Sequence, residues 1–512
     1  MRILARSWFM LAPALLALLP LAACGGDDPD PGETGGSGGC GANCNEGGSG
    51  GAGGDGAGAG GAGGTGGAGG SGGAGGGAPA DIRAQLEAID GLELIEEPSG
   101  HDGYRYFEIT LDQPVDHANP DAQRFQQRIH LHHRDASAPL VLAATGYNLW
   151  GGEYLEEPTM LLEANQLVVE HRYFTPSRPV PTDWALLDIA QAAADHHRIV
   201  SLIRPLYEGA WISTGASKGG MTSVYHRRFY PDDVDGTVAY VAPLSFGTDD
   251  PRYVTFLDQV GTDAACRQKL QDFQRELLLR RDVMLDRMND LVAQGATFDL
   301  MGIEATLETA VIDLEFTFWQ YGGEGFCGAI PTSTSSDDEV WEFFNALAGV
   351  IGYSDTSVLQ FEPYYWQALT QLGAPGIDTS HLDDLLQIDQ DALDIMPSIP
   401  EDPVFEPEAM QDIHEWVTTE AERILFIYGE TDPWTAGAFE VGAAVDSYLY
   451  VAPGANHGAG ILSLDDADQE AALGHLAAWT GVPVTQPLVH ASLRQRMPTP
   501  PALRLVRRAL SR

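Results

Sequence analysis

The stretch Trp211–Tyr230, WISTGASKGGMTSVYHRRFY, decides how the rest of the chain is read. Trp211-Ile212-Ser213-Thr214 has the character of a buried strand end. Gly215-Ala216-Ser217-Lys218-Gly219 is a G-x-S-x-G turn, and from Lys218 the pattern is helical until Pro231 stops it. Strand, tight turn and helix in that order make an elbow that lifts a serine hydroxyl above a sheet, at a helix N-terminus whose dipole favours negative charge. The flanking glycines suit a strained turn in which a Cβ would clash. The pentapeptide alone says little, because it recurs around Ser37, Ser49 and Ser71 inside a glycine-rich tract with no strand before it and no helix after it. Context selects Ser217.

Outward from the elbow, short apolar runs alternate with helical patterns. Ile82–Ile95 reads as a short helix. Tyr104–Leu111 and Phe125–His133 alternate in polarity and should pair as strands. His130 and His132 fall on one face of the second, which reads as a solvated strand face rather than a metal site. Pro139–Ala144, Leu167–Glu170 and Gly236–Ala242 are continuous apolar runs, typical of strands covered on both sides. Trp184–Tyr207 reads as a helix. From about Phe246 to Ile413 the strands stop and aromatic-rich helical pieces take over, led by the charged stretch Cys266–Gln294. The sheet resumes with Arg423–Tyr428 and Ser447–Val451, and Ser463 can cap a last helix running to about Trp479. The alternation predicts an α/β fold with a mostly parallel sheet and an inserted helical cap.

A serine hydroxyl attacks an acyl group only with a base in reach and a third group to orient that base. Asp432 lies in the loop just past the strand Arg423–Tyr428, and His457 lies in the glycine-flanked loop past Ser447–Val451. Ser, acid and His in that chain order, each at a strand end, are the α/β-hydrolase arrangement. The expected triad is Ser217–Asp432–His457, with Glu430 a rival acid. The oxyanion donors should be the backbone N–H of Lys218 and a group of the Gly146-Tyr147-Asn148 loop, with Tyr147 chosen. The Lys218 side chain is not required for this and reads as solvated.

The ends read differently. Arg2 and Arg6 precede an apolar run, Trp8–Leu21, too short for a comfortable membrane span. Leu21-Ala22-Ala23-Cys24 resembles a bacterial lipobox, which implies removal of residues 1–23 and lipidation of Cys24. Residues 24–80 form a Gly-rich tract with no core-forming content, a tether spanning roughly 40 Å. Residues 486–512 are a basic tail. The domain reading is a first α/β part over 81–245, a cap over 246–413 and a second α/β part over 414–485. A net charge of -45 argues against a nucleic-acid partner. Of the 5 cysteines, Cys40 and Cys44 sit together in the tether, while Cys266 and Cys327 are the two in the globular part, free to bridge in an exported protein. No C-x-x-C pair of the zinc-site kind occurs.

Several runs resemble the bacterial secreted prolyl tri/tetrapeptidyl aminopeptidase family, a relative of the lysosomal Pro-Xaa carboxypeptidase and dipeptidyl peptidase II group. They are QPVDHANP (Gln113–Pro120), FQQRIHLHHRD (Phe125–Asp135), ATGYN (Ala144–Asn148), VVEHRYFTPSRP (Val168–Pro179), Thr214–Ser245, FTFWQY (Phe316–Tyr321) and YGETDPW (Tyr428–Trp434). The resemblance implies an α/β-hydrolase with a helical cap and no cofactor, and no metal is expected at the site. It implies removal of tri- or tetrapeptides, often after proline, from unblocked peptide N-termini. The family's serine, acid and base fall on Ser217, Asp432 and His457. Such chemistry needs an anion for the substrate α-ammonium, for which Glu315 and Glu324 are candidates. It also needs aromatic walls for proline, for which Trp319, Tyr364, Tyr365 and Trp366 are available. The competing expectations are an esterase or lipase on the same scaffold and a non-catalytic surface binding protein. The only expected membrane contact is the lipid anchor.

Overall fold

The computed structural model of the protein describes residues 81–149, 152–390 and 393–484. The expected signal peptide, Cys24, the tether with Cys40 and Cys44, and the basic tail lie outside the described residues.

The apolar runs become the central strands of one sheet. Its strands are β1 (Leu92–Glu97), β2 (Arg105–Pro114), β3 (Arg124–His133), β4 (Leu140–Ala144), β5 (Asn165–Val169), β6 (Trp211–Ala216), β7 (Gly236–Tyr240), β8 (Ile424–Gly429) and β9 (Tyr448–Ala452). They run side by side in the order β1-β2-β3-β5-β4-β6-β7-β8-β9. β1, β2, β3 and β5 pair antiparallel in succession, and every pairing from β5 through β4 to β9 is parallel. A mostly parallel sheet has to be covered on both sides, and it is. Ile212, Val238, Leu425 and Ile427 pack on one side against α2 (Glu157–Leu162) and α13 (Asp466–Thr480). The alternate residues Ala239, Ile424, Phe426 and Tyr428 pack on the other side, against α3 (Ile189–Ile203), α4 (Lys218–Phe229) and α12 (Pro407–Thr419). The period of two along each strand thus produces the two-faced core.

Between β7 and β8 the chain is helical. α5 (Arg252–Leu257), α6 (Ala264–Leu279), α7 (Arg281–Ala293), α8 (Ile303–Ile312), α9 (Leu314–Tyr321), α10 (Asp337–Ala348) and α11 (Asp355–Gln367) precede α12. They share one large aromatic-rich core that also takes in Tyr147, Phe174 and Trp434 from the α/β part. α12 itself packs on the sheet through Met410, Ile413, Trp416 and Val417. A disulfide joins Cys266 at the start of α6 to Cys327.

Local differences from the sequence reading have local causes. The run Ile82–Ile95 splits into α1 (Ile82–Glu87) and strand β1, joined by a turn over residues 88–91 in which Gly91 takes φ 75. The expected helix Trp184–Tyr207 becomes a short 3-10 turn at Trp184–Leu186 followed by α3, whose first turn is capped by Asp188 through a 2.6 Å bond from the Gln191 N–H. The charged stretch after Cys266 is two helices that part at Arg280. Asp465, not Ser463, caps α13, while the Ser463 hydroxyl accepts from the Gly460 N–H. His130 and His132 are buried, not solvated: Tyr106 of β2 packs against both rings, and His101 and Glu153, from the turns on either side, meet His132.

Candidate active site

The elbow forms at the junction of β6 and α4. Ser217 takes φ 56 and ψ -126, a strained conformation for a residue with a Cβ. Its N–H donates to the Tyr240 carbonyl at 2.9 Å and its carbonyl accepts the first bond of α4, from Met221. The motif glycines are required by close approach: a Cβ on Gly215 would lie 2.4 Å from the Gly219 backbone, and one on Gly219 would lie 2.3 Å from the Ala144 carbonyl oxygen. Ser217 is nearly buried. It lines a small pocket with Lys218, Met221, Pro243, Ser245, Tyr364, Leu372, Gly373 and Trp434.

The acid and the histidine come from the ends of β8 and β9. Asp432 is fully buried, and its two oxygens do different work. Oδ1 accepts from the Trp434 N–H at 3.1 Å and so starts the 3-10 turn Pro433–Gly437, while Oδ2 lies 2.7 Å from Nδ1 of His457. The turn therefore fixes the carboxylate, and the carboxylate fixes the ring. A carboxylate accepts only, so Nδ1 carries the proton and Nε2 presents a lone pair. The His457 N–H donates to the Gln320 carbonyl at 3.0 Å, and Tyr321 meets the ring edge-on at 6.3 Å, so α9 holds this loop from the cap side. His457 Nε2 is buried and makes no hydrogen bond. The Asp432–His457 bond is thus formed and the bond from His457 to Ser217 is open, as in many free hydrolases. Trp434, which lines the Ser217 pocket, also packs against the His457 ring at 6.2 Å. The rival acid Glu430 is exposed and accepts from the Gly454 N–H at 2.7 Å, clasping the two loops instead.

Facing the elbow is the loop after β4. Lys218 begins α4, so its amide has no acceptor within the helix. Its side chain is buried, contrary to the solvated expectation: Nζ donates to the Gly146 carbonyl at 2.7 Å and lies over the rings of Tyr147 and Phe174. Burial pushes this ammonium well below its usual pKa. Gly146 allows the loop to meet α4 closely, since a Cβ there would fall 2.4 Å from the Gly219 nitrogen. The Tyr147 amide is occupied by the Thr145 hydroxyl at 3.2 Å. Its phenol, in contrast, is buried, lies alongside Ser217 and makes no hydrogen bond of good geometry. Burial raises its pKa well above the usual value, so it keeps its proton. Asn148 is committed elsewhere, to the Thr175 carbonyl and to Gln360 of α11.

The cap residues divide. Tyr364 lines the Ser217 pocket. Trp319 is fully buried with its ring over Gly261, so it is a core residue of the cap. Tyr365 and Trp366 are also buried in the cap core, with Trp366 against Trp184. Glu324 is occupied: its Oε1 accepts from the Thr262 N–H, the Thr262 hydroxyl and the Asp263 N–H, which secures the start of α6. Those bonds, the Thr262 hydroxyl first, hold its pKa below the usual value. Glu315 lines a separate small cavity with Asp258, Asp378 and Gln274, where burial, and then the Asp258 charge, push its pKa up to about 7. Phe316, which also lines that cavity, packs edge-on against Trp434 at 5.1 Å, so one layer of rings separates it from the Ser217 pocket. Trp434 was missed by the sequence reading. Its place directly after Asp432-Pro433 was the available signal.

A serine on a strained strand–helix turn, with a hydrogen-bonded carboxylate and imidazole on later strand ends of a mostly parallel sheet, defines a serine hydrolase of the α/β-hydrolase class. Residues 77–508 match the model of the peptidase family S37 (PS-10 peptidase S37), and the chain belongs to that family of peptidases. It is 42% identical over 412 residues to the prolyl tri/tetrapeptidyl aminopeptidase of Streptomyces mobaraensis, an alignment covering 79% of this chain and 86% of the relative. It is 30% identical over 192 residues to prolyl carboxy peptidase like protein 5 of Caenorhabditis elegans, covering 32% and 38% of the two chains. Among solved structures, the peroxisomal α/β-hydrolase Lpx1 of Saccharomyces cerevisiae aligns over 78% of this chain and 96% of its own at 11% identity and a TM-score of 0.31, too distant to add to the topology above.

Proposed function

We propose that the protein is a serine aminopeptidase that removes tri- or tetrapeptides, often after proline, from unblocked peptide N-termini through an acyl-enzyme. The observation that carries this reading is the 2.7 Å bond between Asp432 and Nδ1 of His457, which leaves Nε2 with a lone pair on a ring packed against Trp434, itself a wall of the elbow serine's pocket. The substrate class is drawn from the likeness to the Streptomyces relative. Ser217 attacks the carbonyl carbon of the third or fourth residue while His457 takes its proton on Nε2. Asp432 holds the ring and stabilises the imidazolium. The carbonyl oxygen, now negative, is received by the Lys218 N–H and the Tyr147 phenol, both free to donate. His457 returns the proton to the departing amine. Water, deprotonated by the same ring, then releases the peptide acid. Tyr364 and Trp434 are the ring surfaces at hand for the residue before the cut.

Glu315 is the better candidate for the α-ammonium. It lines a cavity that holds two further acids, with Arg267 the cation that acts on it, whereas Glu324 is already engaged. Arg2, Arg6, the apolar run and the Leu21-Ala22-Ala23-Cys24 site support export and anchoring through lipid on Cys24.

The experiment is mass spectrometry of digests of free and N-acetylated peptides, beside short acyl esters. Tri- and tetrapeptide products from the free peptides only support the proposal. Equal cleavage of blocked peptides, or turnover of esters alone, refutes it.

A further inference from the structure

Strand β3 carries an imidazole that the catalytic arrangement does not use. His132 is 1% exposed, yet neither of its ring nitrogens has a hydrogen-bond partner. A buried polar group left in that state calls for a ligand. Two other segments converge on it. His101 comes from the turn between β1 and β2, and Glu153 comes from the connection between β4 and α2. One ligand atom from each of the three side chains lies within 4.8 Å of the others.

The spacing is informative. Nε2 of His132 and Oε2 of Glu153 are 3.4 Å apart. That is loose for a hydrogen bond, but bonds of about 2.0–2.1 Å to one tetrahedral ion put two ligand atoms about 3.3 Å apart. The His101 ring stands edge-on to that of His132, with centroids 5.6 Å apart, and needs only a small movement of its turn to complete the set. The carboxylate is already aimed by a second layer of contacts. The Ser99 hydroxyl donates to Oε2 at 2.9 Å and the Gly100 N–H donates to Oε1 at 2.8 Å, both from the turn that carries His101.

We propose that His101, His132 and Glu153 bind a divalent transition-metal ion of the zinc class, with water in the fourth position. Two imidazoles and one carboxylate are a nitrogen–oxygen donor set suited to zinc, and less so to calcium or magnesium. The ion ties three segments together. They are the turn between β1 and β2, strand β3 and the segment leading into α2.

The test uses the full protein without a histidine tag, stripped with a chelator and titrated with zinc chloride by calorimetry, then with cobalt followed by visible absorption. The expected result is one ion per chain, a rise in Tm, and the d–d bands of four-coordinate cobalt. His101→Ala and Glu153→Gln, both at partly exposed positions, should each weaken zinc binding at least tenfold, with peptidase turnover reporting that they are folded. Failure of the wild type to take up a stoichiometric ion overturns the proposal whatever the variants do. So does unchanged affinity in both variants, which places the ion elsewhere.

Discussion

Tyr147→Phe separates the role of the phenol from its packing, because the structure predicts effects of opposite sign on the two. The ring is held edge-on or tilted against Phe174, Phe361 and Tyr364 at centroid distances of 5.6, 5.9 and 5.9 Å, and all three contacts survive in the variant. The hydroxyl contributes no well-formed hydrogen bond to the folded state, yet it is desolvated. Leaving such a group unpaired costs about 1–3 kcal/mol, so its removal should leave stability unchanged or raise it by up to that amount. If the phenol receives the oxyanion, the same removal forfeits about 10²–10³ in kcat, or roughly 2.7–4 kcal/mol of transition-state stabilisation, with KM little changed. The assays are steady-state hydrolysis of an unblocked peptide anilide and urea unfolding at the same pH. A kcat within about threefold of wild type would remove the phenol from the mechanism, since even a modest oxyanion donor is worth more than that. A matched fall in stability would show instead that the hydroxyl is a structural contact.

The remaining predictions address the scaffold and the substrate clamp. The bridge between Cys266 and Cys327 closes a loop with a separation of 61 residues, so Cys266→Ala with Cys327→Ala should cost about 4 kcal/mol on the chain-entropy estimate, read from the urea midpoint; no change would place the bridge's constraint outside the unfolding transition. Asp313 is buried against the Tyr353 hydroxyl and burial raises its pKa to about 7. The folded wild type therefore holds a proton that the unfolded chain releases, and loses that advantage as pH rises from about 4 to about 7. The stability of Asp313→Asn relative to wild type should climb by about 1.4 kcal/mol per pH unit across that window and level off above it; a flat difference from pH 4 to pH 8 would contradict the burial assigned to this carboxyl. Glu315→Gln should raise KM for unblocked peptides about tenfold and leave acetylated peptides untouched, whereas Glu324→Gln should lower Tm through the start of α6 without changing KM. The reverse pattern would return the clamp to Glu324.

Much of this arrangement was legible because strand ends are punctuated in the sequence. The elbow needs glycines at close backbone contacts, and Gly215 and Gly219 stand where a Cβ would collide. Asp432 and His457 were readable because each follows a continuous apolar strand by a few residues. Burial of polar side chains was not readable. Lys218 looks like a surface residue at a helix start, and only the approach of the Gly146 carbonyl and two rings from distant segments makes it an interior one. His130 and His132 alternate as though half-solvated, because periodicity cannot register the turns that fold over that face. The cap aromatics show the same limit. Tyr364 lines the pocket while Trp319, in an equally aromatic run, fills the cap core, and helix rotation decides between them. The helical reading of Ile82–Ile95 runs over most of β1, an edge strand that turns Glu93, Ile95 and Glu97 to solvent and pairs Glu96 with Arg105.

We propose that the His457–Asp432 pair activates the hydroxyl of Ser217, although the serine–imidazole bond is open in the free protein. Its most direct measurement is the rate and site of phosphonylation by a fluorophosphonate, read by mass spectrometry of digested wild type, His457→Ala and Asp432→Asn. The expected result is one adduct per chain, on Ser217, formed about 10³–10⁴ times more slowly in either variant. An adduct on another serine, no adduct on folded wild type, or equal rates in all three proteins would contradict it.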